Sequence, residues 1–365
     1  MIRVKCLRLS LMMFAFASLG RANGPARLLA APLDVELADE RYAVLADGIP
    51  GELAERLAWN GVWLVDPTRW DGVLEQAGVD APDALSLASQ RELARRAGAA
   101  WLLAGAAGGD ADGVRVSLRL VAIDGVQMPA RIEEKFAWTD LPAFLDRAET
   151  LLAAALGLPP REAQNLGAGV IELYLRARTE ASPVTRLGLL QTCLSGSPGF
   201  ARARARLAET LLDNQMIAEA GEVFAPLAAR LGSPGDPLPA GSSGVELALL
   251  RGRLDYQSGD SVSADAWTRR ALAAQPSAAG YYLLARIRNA LRDRANALVA
   301  LDNALALEPG HPGATRLKEK LLAAAPVAAA ASAPGSVPGA VITTPPPTLI
   351  SPAPASAPGP VATPQ

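Results

Sequence analysis

Histidine, cysteine and aromatic residues are scarce in this sequence of 365 residues, which contains one His, two Cys and only 5% Phe, Trp and Tyr. So few Cys and His side chains cannot supply a Cys/His zinc site, and histidine-based catalysis is confined to His311. The formal net charge of −2 provides no basic surface for non-specific binding to nucleic acid. We therefore expect no catalytic site, no metal site, no cofactor and no nucleic-acid partner.

Half of the residues are nevertheless apolar, and because aromatic residues are few, Ala and Leu account for most of this fraction. Such a composition is typical of closely packed helices. The 32 Gly and 29 Pro residues indicate many connections between them. The length leaves room for about two domains.

Residues 1–22 have the pattern of a secretory signal peptide. Basic residues within 3–8 precede an apolar run over 9–19, and small residues precede the predicted cleavage point after Ala22. The apolar run is shorter than the roughly 20 residues that span a bilayer, which favours cleavage over the alternative of a retained anchor. We therefore expect a periplasmic protein without a membrane-spanning segment after cleavage, which associates with the membrane, if at all, through its partners.

Residues 23–160 alternate between strand-like and helix-like patterns, which predicts a small mixed α/β sandwich domain. The clearest strand lies at 114–121, where apolar residues occupy every second position. The predicted order is strand 28–35, a helix from 47, strand 62–65, helix 85–97, strand 101–104, turn 108–113, strand 114–121, return strand 127–138 and helix 141–156.

The succession of segments VLADGIPGELAERL, GVWLVDPTRW, ELARRAGAAWLLAGAA, DGVRVSLRLVAIDGVQ and LPAFLDRAETLLAAALG resembles the amino-terminal domain of TolB and the related FlgO-like domains of bacterial envelope proteins. The resemblance covers about 130 residues and lies in the order of elements, because these segments contain no catalytic motif. It implies a mixed sheet flanked by helices that serves in envelope assembly or recognition, and it does not imply an enzyme.

An internal repeat follows in residues 161–325. Residues 269–276 align with 302–309 at an offset of 33 residues, close to the length of about 34 residues of a tetratricopeptide (TPR) unit. The pattern predicts four helix pairs and a last helix from Pro312 to Ala325, with Arg292 in place of the turn glycine of the fourth pair. A loop at 233–244 separates the second pair from the third. Stacked hairpins of this kind form a solenoid with a concave face.

The concave face is the predicted binding site. Its inward-facing positions are predicted to be Arg178, Arg202, Arg253, Tyr256, Tyr282, Arg286 and Asn289. Arg253 and Arg286 are equivalent in adjacent units, and guanidinium groups so placed would suit a carboxylate of an acidic partner segment. The alternative is a solvated face on which these arginines pair with Glu209, Glu246 or Asp255.

Other residues with reactive side chains are expected to be structural. Cys193 stands at a small-residue packing position and is predicted to be a buried, inert thiol. His311 is predicted to be a surface loop residue, and Asp146 and Glu149 an exposed acidic pair on one helical face. Four tryptophans are predicted to fill the core of the first domain, namely Trp59, Trp63, Trp70 and Trp101.

Residues 326–365 contain 11 prolines and no charged residue, which predicts a disordered tail; the alternative is a ligand for a proline-recognising groove. The sequence as a whole predicts an exported, non-enzymatic scaffold of the bacterial cell envelope that binds a protein or peptide partner in its TPR groove. The alternative function is that of a small-molecule-sensing or signalling accessory protein that uses its α/β domain. The sequence does not indicate an oligomeric state.

Overall fold

The computed structural model describes residues 26–37, 44–79, 85–110, 113–125, 129–159 and 165–323. By its internal contacts the chain divides into two units, Met1–Ala323 and Ala324–Gln365. The predicted signal peptide and the predicted tail both lie outside the described residues. None of the helices in the described part of the chain is both long enough and apolar enough to cross a membrane.

The first part of the chain forms strands and helices in alternation. Their order is β1 Arg27–Ala30, β2 Asp34–Leu37, α1 Val44–Trp59, β3 Trp63–Leu64, α2 Pro67–Ala77, α3 Leu87–Arg96, β4 Trp101–Asp110, β5 Gly113–Ala122, β6 Ala130–Phe136 and α4 Leu141–Ala155.

The strands form one mixed sheet, as predicted. Its order is β3-β1-β4-β5-β6, with β2 beside β4 beyond the end of β1. β1 runs parallel to β3 and β4, whereas β5 is antiparallel to both β4 and β6. The single strand predicted at 28–35 is two strands, because Pro32 has no N–H to donate to the ladder. The predicted turn at 108–113 is shorter than expected, since Gly108–Asp110 continue β4.

Each face of the sheet is covered by helices. The alternating apolar residues of β5, such as Val116 and Leu118, are fully buried and pack in one core with Leu53 of α1 and Phe144 of α4. The opposite face packs against α2 and α3, the first of which the sequence analysis did not predict.

The second part of the chain consists of nine helices among the described residues. They are α5 Ala168–Thr179, α6 Pro183–Gly196, α7 Ala201–Asp213, α8 Ile217–Ala228, α9 Ser242–Gln257, α10 Ser261–Ala274, α11 Ala278–Ala290, α12 Arg294–Leu307 and α13 Pro312–Ala323. They form four consecutive helix pairs and a last helix, which is described as far as Ala323. We call α5, α7, α9 and α11 the inner helices, and the side of the array that they form the inner face.

The repeat is visible in the backbone as well as in the sequence. The small residues Ala208 and Ala285 are buried at equivalent positions of α7 and α11, where a neighbouring helix packs closely. Seven residues after each of them, Gln215 and Arg292 adopt φ angles of 62° and 60° in the hairpin turn. Gly259 adopts φ 96° at the same position of the third pair. The left-handed turn is thus retained where the sequence has Arg instead of the expected glycine.

The sheet and the helical array share one hydrophobic core. Leu53 of α1, Leu175 of α5 and Leu207 of α7 belong to the same buried cluster. Trp59 and Trp63, expected in the core of the first domain, pack instead against a cluster that includes Trp267 of α10, whereas Trp70 is buried under α3. Helix α1 therefore lies between the sheet and the inner face of the array.

A candidate binding groove on the inner face

The inner face contains a groove of about 720 Å³. Helices α7, α9 and α11 form one wall, and residues from the end of α1 and from β3 form part of the other. We refer to the part of the inner face on α5 and α7 as the N-terminal half, and to the part on α9 and α11 as the C-terminal half. The two halves differ in what covers their arginines.

In the N-terminal half, the carboxylate of Glu55 on α1 is surrounded by polar groups of the array. Arg206 donates a hydrogen bond of 2.7 Å to Glu55 Oε1, and Arg178 Nε lies 3.6 Å from the same oxygen. The hydroxyl of Tyr174 donates to Glu55 Oε2. Burial by itself would raise the pKa of Glu55, but the attraction of Arg178 and Arg206 outweighs it and lowers this pKa to about 2. Glu55 therefore stays ionised at neutral pH.

A second, deeper network joins α1 to α4 and α7. The fully buried Arg56 forms hydrogen bonds of 2.7 Å to Glu52 and 2.5 Å to Asp146, and its Nη1 lies 3.3 Å from Glu149. Arg202 of α7 donates to the same oxygen of Glu52. A buried charge without a counter-ion is very costly, so these side chains depend on one another. Asp146 and Glu149 thus do not form the solvent-exposed pair that was predicted.

This arrangement changes the status of two predicted binding residues. The side chain of Arg202 is only 2% exposed, so the prediction that it faces a partner is wrong. Arg178 is 19% exposed and engaged with Glu55. Both lie on the inner face as the repeat pattern predicted, but α1 covers that part of the face. Helix α1 therefore supplies the carboxylates for these two arginines, which were predicted to bind an acidic segment of a partner.

The arginines of the C-terminal half have no carboxylate partner on α1 among the described residues. Arg253 is 26% exposed and forms an ion pair with Asp213 of α7, a partner that was not among the acidic residues considered from the sequence. Arg286 lies over the rings of Tyr256 and Tyr282, with 5.0 and 5.8 Å from its guanidinium carbon to the ring centroids. The side chains of these two arginines and two tyrosines are all partly exposed. Among the described residues, no carboxylate forms a salt bridge with Arg286.

The end of the array supports this cluster. The His311 ring lies 4.9 Å from that of Tyr282, and His311 Nδ1 accepts a hydrogen bond from the Ala314 N–H at the start of α13. His311 is therefore partly buried and caps a helix, which the prediction of a surface loop residue did not anticipate. Asn289, the remaining predicted site residue, is exposed and lies one turn beyond Arg286 on α11.

Two carboxylates of the groove form no salt bridge among the described residues, although Arg206 attracts both of them. Glu209 on α7 and Glu246 on α9 are exposed within the groove, and the described residues offer neither of them a hydrogen bond or a salt bridge. The loss of solvation in the groove, followed by repulsion from Glu55, raises the pKa of Glu246 to about 7.

Glu55 and Arg206 were not predicted as groove residues, whereas Glu209 and Glu246 were considered as partners of the inner arginines and form no salt bridge with them among the described residues. One signal was available, because Arg202 and Arg206 lie four residues apart and must share a face of α7. No sequence pattern indicates that Glu55 of a distant helix is their partner, since that contact depends on how α1 packs in three dimensions.

The described residues contain no other arrangement that suggests catalysis. Cys193 is fully buried, as predicted, and burial raises the pKa of its thiol to about 11, which disfavours the reactive thiolate. Within the same residues, no group of three or more His, Cys, Asp or Glu side chains could hold a metal ion.

Comparison with known proteins adds little to this description. No protein-family model matches the sequence, and no curated protein matches it either. A matching solved structure is the crystal structure of TTC0263, a thermophilic TPR protein in Thermus thermophilus, with 19% identity and a TM-score of 0.34 over 51% of this chain and 97% of the other. Because this TM-score is low, we describe the array as TPR-like only on the basis of its helical hairpins and their equivalent positions, given above.

Proposed function

We propose that this chain is a non-enzymatic scaffold that binds a segment of a partner protein in the groove of its TPR-like array. The C-terminal half carries this proposal. There Arg286 lies over two tyrosine rings and has no carboxylate partner among the described residues, although its neighbour Arg253 has one. Stacked helical hairpins expose extended concave surfaces, and partly exposed Tyr and Arg side chains are the residue types most often important at protein interfaces.

We also propose that the protein acts in the periplasm as a module of a bacterial envelope assembly. The pattern of residues 1–22 supports export, and the resemblance of the first domain to TolB amino-terminal and FlgO-like domains supports a role in the envelope. Removal of the signal is testable by amino-terminal sequencing of the protein recovered from the periplasm, where we expect Asn23 to be the first residue.

The binding site is testable by photo-crosslinking in cells. Ala279 is exposed and lines the groove, whereas Val262 is 73% exposed on α10, outside the groove lining. A photo-reactive residue at position 279 should form a discrete adduct with a partner, and the same residue at position 262 should not. Equal amounts of adduct from both positions would place recognition outside the groove. Loss of the adduct from position 279 on truncation of the chain after Ala325 would place recognition in the tail.

A small-molecule sensor is the second candidate function. The groove volume of about 720 Å³ is in the range of ligand pockets, and α1 and β3 of the α/β domain contribute to its wall. A metabolite that binds the folded protein would raise its melting temperature through mass action. Thermal-shift screening of small metabolites therefore separates the two functions, because we expect no shift for a scaffold that binds polypeptides.

A further inference from the structure

The repeat places charged residues at one equivalent position of all four inner helices. This position directly follows the buried small residue of each unit and is occupied by Arg178, Glu209, Arg253 and Arg286. Arg178 has Glu55 as its partner, and Arg253 has Asp213. Glu209 and Arg286 form no salt bridge within the described part of the chain. At this position the inner face thus has one charge of each sign without a salt bridge, the negative charge of Glu209 on α7 and the positive charge of Arg286 on α11, and Glu246 of α9 adds a second carboxylate without a salt bridge.

On α11, the positive end of the inner face, the surroundings of Arg286 favour the binding of a carboxylate. The rings of Tyr256 and Tyr282 both lie within 6 Å of the Arg286 guanidinium carbon, a distance at which a cation is attracted to the face of an aromatic ring. Tyr282 is itself fixed by contact with His311. A guanidinium group held in this way loses little side-chain entropy when a carboxylate forms paired hydrogen bonds with it.

The negative end lies at the junction of α7 and α9. Glu246 and Glu209 both line the groove there, on neighbouring inner helices. Arg206, the nearest cation of α7, is already hydrogen-bonded to Glu55. Desolvation and repulsion from Glu55 and Glu209 raise the pKa of Glu246 in spite of attraction by Arg206 and Arg178, so these two arginines, which are engaged with Glu55, do not neutralise it.

We propose that the groove binds a polypeptide segment with charges of both signs, whose acidic side chain docks on Arg286 and whose basic side chain faces Glu246 and Glu209. This inference rests on the proposed function and specifies its partner. It differs from the acidic partner expected from the sequence, because the inner arginines of the N-terminal half already bind carboxylates of α1. The acidic side chain of the segment thus lies towards α11 and its basic side chain towards α7.

The dependence of binding on pH follows from the surroundings of Glu246. The charged groups that act on it are Glu55 of α1, Arg178 of α5, and Arg206 and Glu209 of α7. The other charged residues that line the groove are Asp66, Arg202, Asp213, Arg253 and Arg286. Of the described residues of α8 and α10, none lines the groove. Because the pKa of Glu246 is about 7, it is largely neutral below this pH and ionised above it. Affinity for a segment with a basic residue should therefore increase as pH rises through 7, whereas affinity for a purely acidic segment should decrease.

The proposal is testable by selecting random displayed peptides of about 12 residues on the full chain. Selections run in parallel on the unaltered protein, R286Q, E246Q and the control R269Q. Arg269 lies on α10, pairs with Asp265 and is 59% exposed, so it matches Arg286 in charge but not in location. We expect peptides selected on the unaltered protein and on R269Q to combine acidic and basic residues. R286Q should lose the acidic enrichment, and E246Q the basic enrichment.

Affinities of one selected peptide complete the test. We expect R286Q and E246Q each to weaken binding about tenfold, which corresponds to about 1.4 kcal/mol, and R269Q to leave it unchanged. Selected peptides without a preference for both charges, or with tighter binding at low pH, would overturn this inference and leave the proposed function intact. Failure to select any peptide on the unaltered protein would instead contradict the proposed function, and the inference with it.

Discussion

The two halves of the inner face have the same helical framework, but they differ in whether α1 supplies carboxylates to their arginines. In the N-terminal half, Arg178, Arg202 and Arg206 bind the carboxylates of Glu52 and Glu55 on α1. In the C-terminal half, Arg286 lies over the rings of Tyr256 and Tyr282 and has no carboxylate partner in the described residues. An arginine on a concave repeat surface is therefore not by itself evidence of an external partner, because a neighbouring part of the chain can occupy it.

The difference has its origin in the placement of α1. Its apolar residues, among them Leu53 and Leu57, are part of the core shared with α5 and α7, so that its acidic residues are held against the N-terminal half. Contact with the array at β3 is also specific, since Ser242 donates its N–H to Val62 and its hydroxyl accepts from the N–H of Leu64 at 2.7 Å. Together these contacts hold α1 and β3 against the array, at the N-terminal half and at the start of α9.

The largest loss of stability is expected from replacement of Arg56, the central cation of the network that joins α1 to α4 and α7. Replacement by Ala removes the buried cation that Glu52, Asp146 and Glu149 share, and leaves carboxylates of α1 and α4 without it. We expect R56A to lower the free energy of unfolding by about 3–5 kcal/mol. Urea denaturation followed by circular dichroism measures this loss, and a change below about 1 kcal/mol would contradict the account of the network.

The junction between β3 and the array can be weakened at Gly241. This residue has φ 83°, and a Cβ atom there would lie 2.6–2.7 Å from the carbonyl oxygens of Ala58 and Val62. We expect G241A to lower the free energy of unfolding by about 3 kcal/mol, because it combines backbone strain with a steric clash. Gly259 is the matched control, since it has φ 96° but no atom near the added Cβ. G259A should cost only about 1 kcal/mol, and equal losses for the two variants would contradict close packing at Gly241.

The electrostatic closure of the N-terminal half can be measured through Glu55. Because the pKa of this residue is lowered to about 2, its ionised form stabilises the folded chain above its ordinary pKa, and this stabilisation is lost as pH falls from about 4.5 towards 2. We expect E55Q to cost about 2 kcal/mol at neutral pH and progressively less in acid. A cost that does not depend on pH would show that the ion pairs with Arg178 and Arg206 contribute little.

The smallest change in stability is expected for replacement of Glu246 in the protein without a partner. This change is a gain in stability, whereas the three replacements above each cause a loss. The raised pKa of Glu246 means that the ionised carboxylate is disfavoured in the folded chain, so that stability decreases as pH rises from about 4.5 to 7. We therefore expect E246Q to be more stable than the unaltered protein at about pH 8 and equally stable at about pH 4. Thermal melts at the two pH values measure this difference, and destabilisation by E246Q at the higher pH would contradict the unmatched charge.

The fold could be predicted from the sequence wherever local patterns determine it. The alternating residues of β5, the helix at 141–155 and the repeated offset of 33 residues each carry their own signal. The prediction missed α2 and the division of the first strand, whose signals are short. In the candidate site, the inner positions followed from the repeat, but the burial of Arg202 did not, because it depends on a contact between residues 150 positions apart in the sequence.

The accessibility of the two halves to solvent tests the central claim most directly. Arg178 and Arg286 stand at equivalent positions of α5 and α11, so single R178C and R286C variants in a C6S background compare the halves with the same probe. The remaining native thiol, Cys193, is fully buried and provides an internal reference. The rate of labelling by a thiol-reactive maleimide should be at least about tenfold higher for R286C, because α1 covers position 178. Equal rates for the two variants would show that α1 does not close the N-terminal half, and would contradict the account.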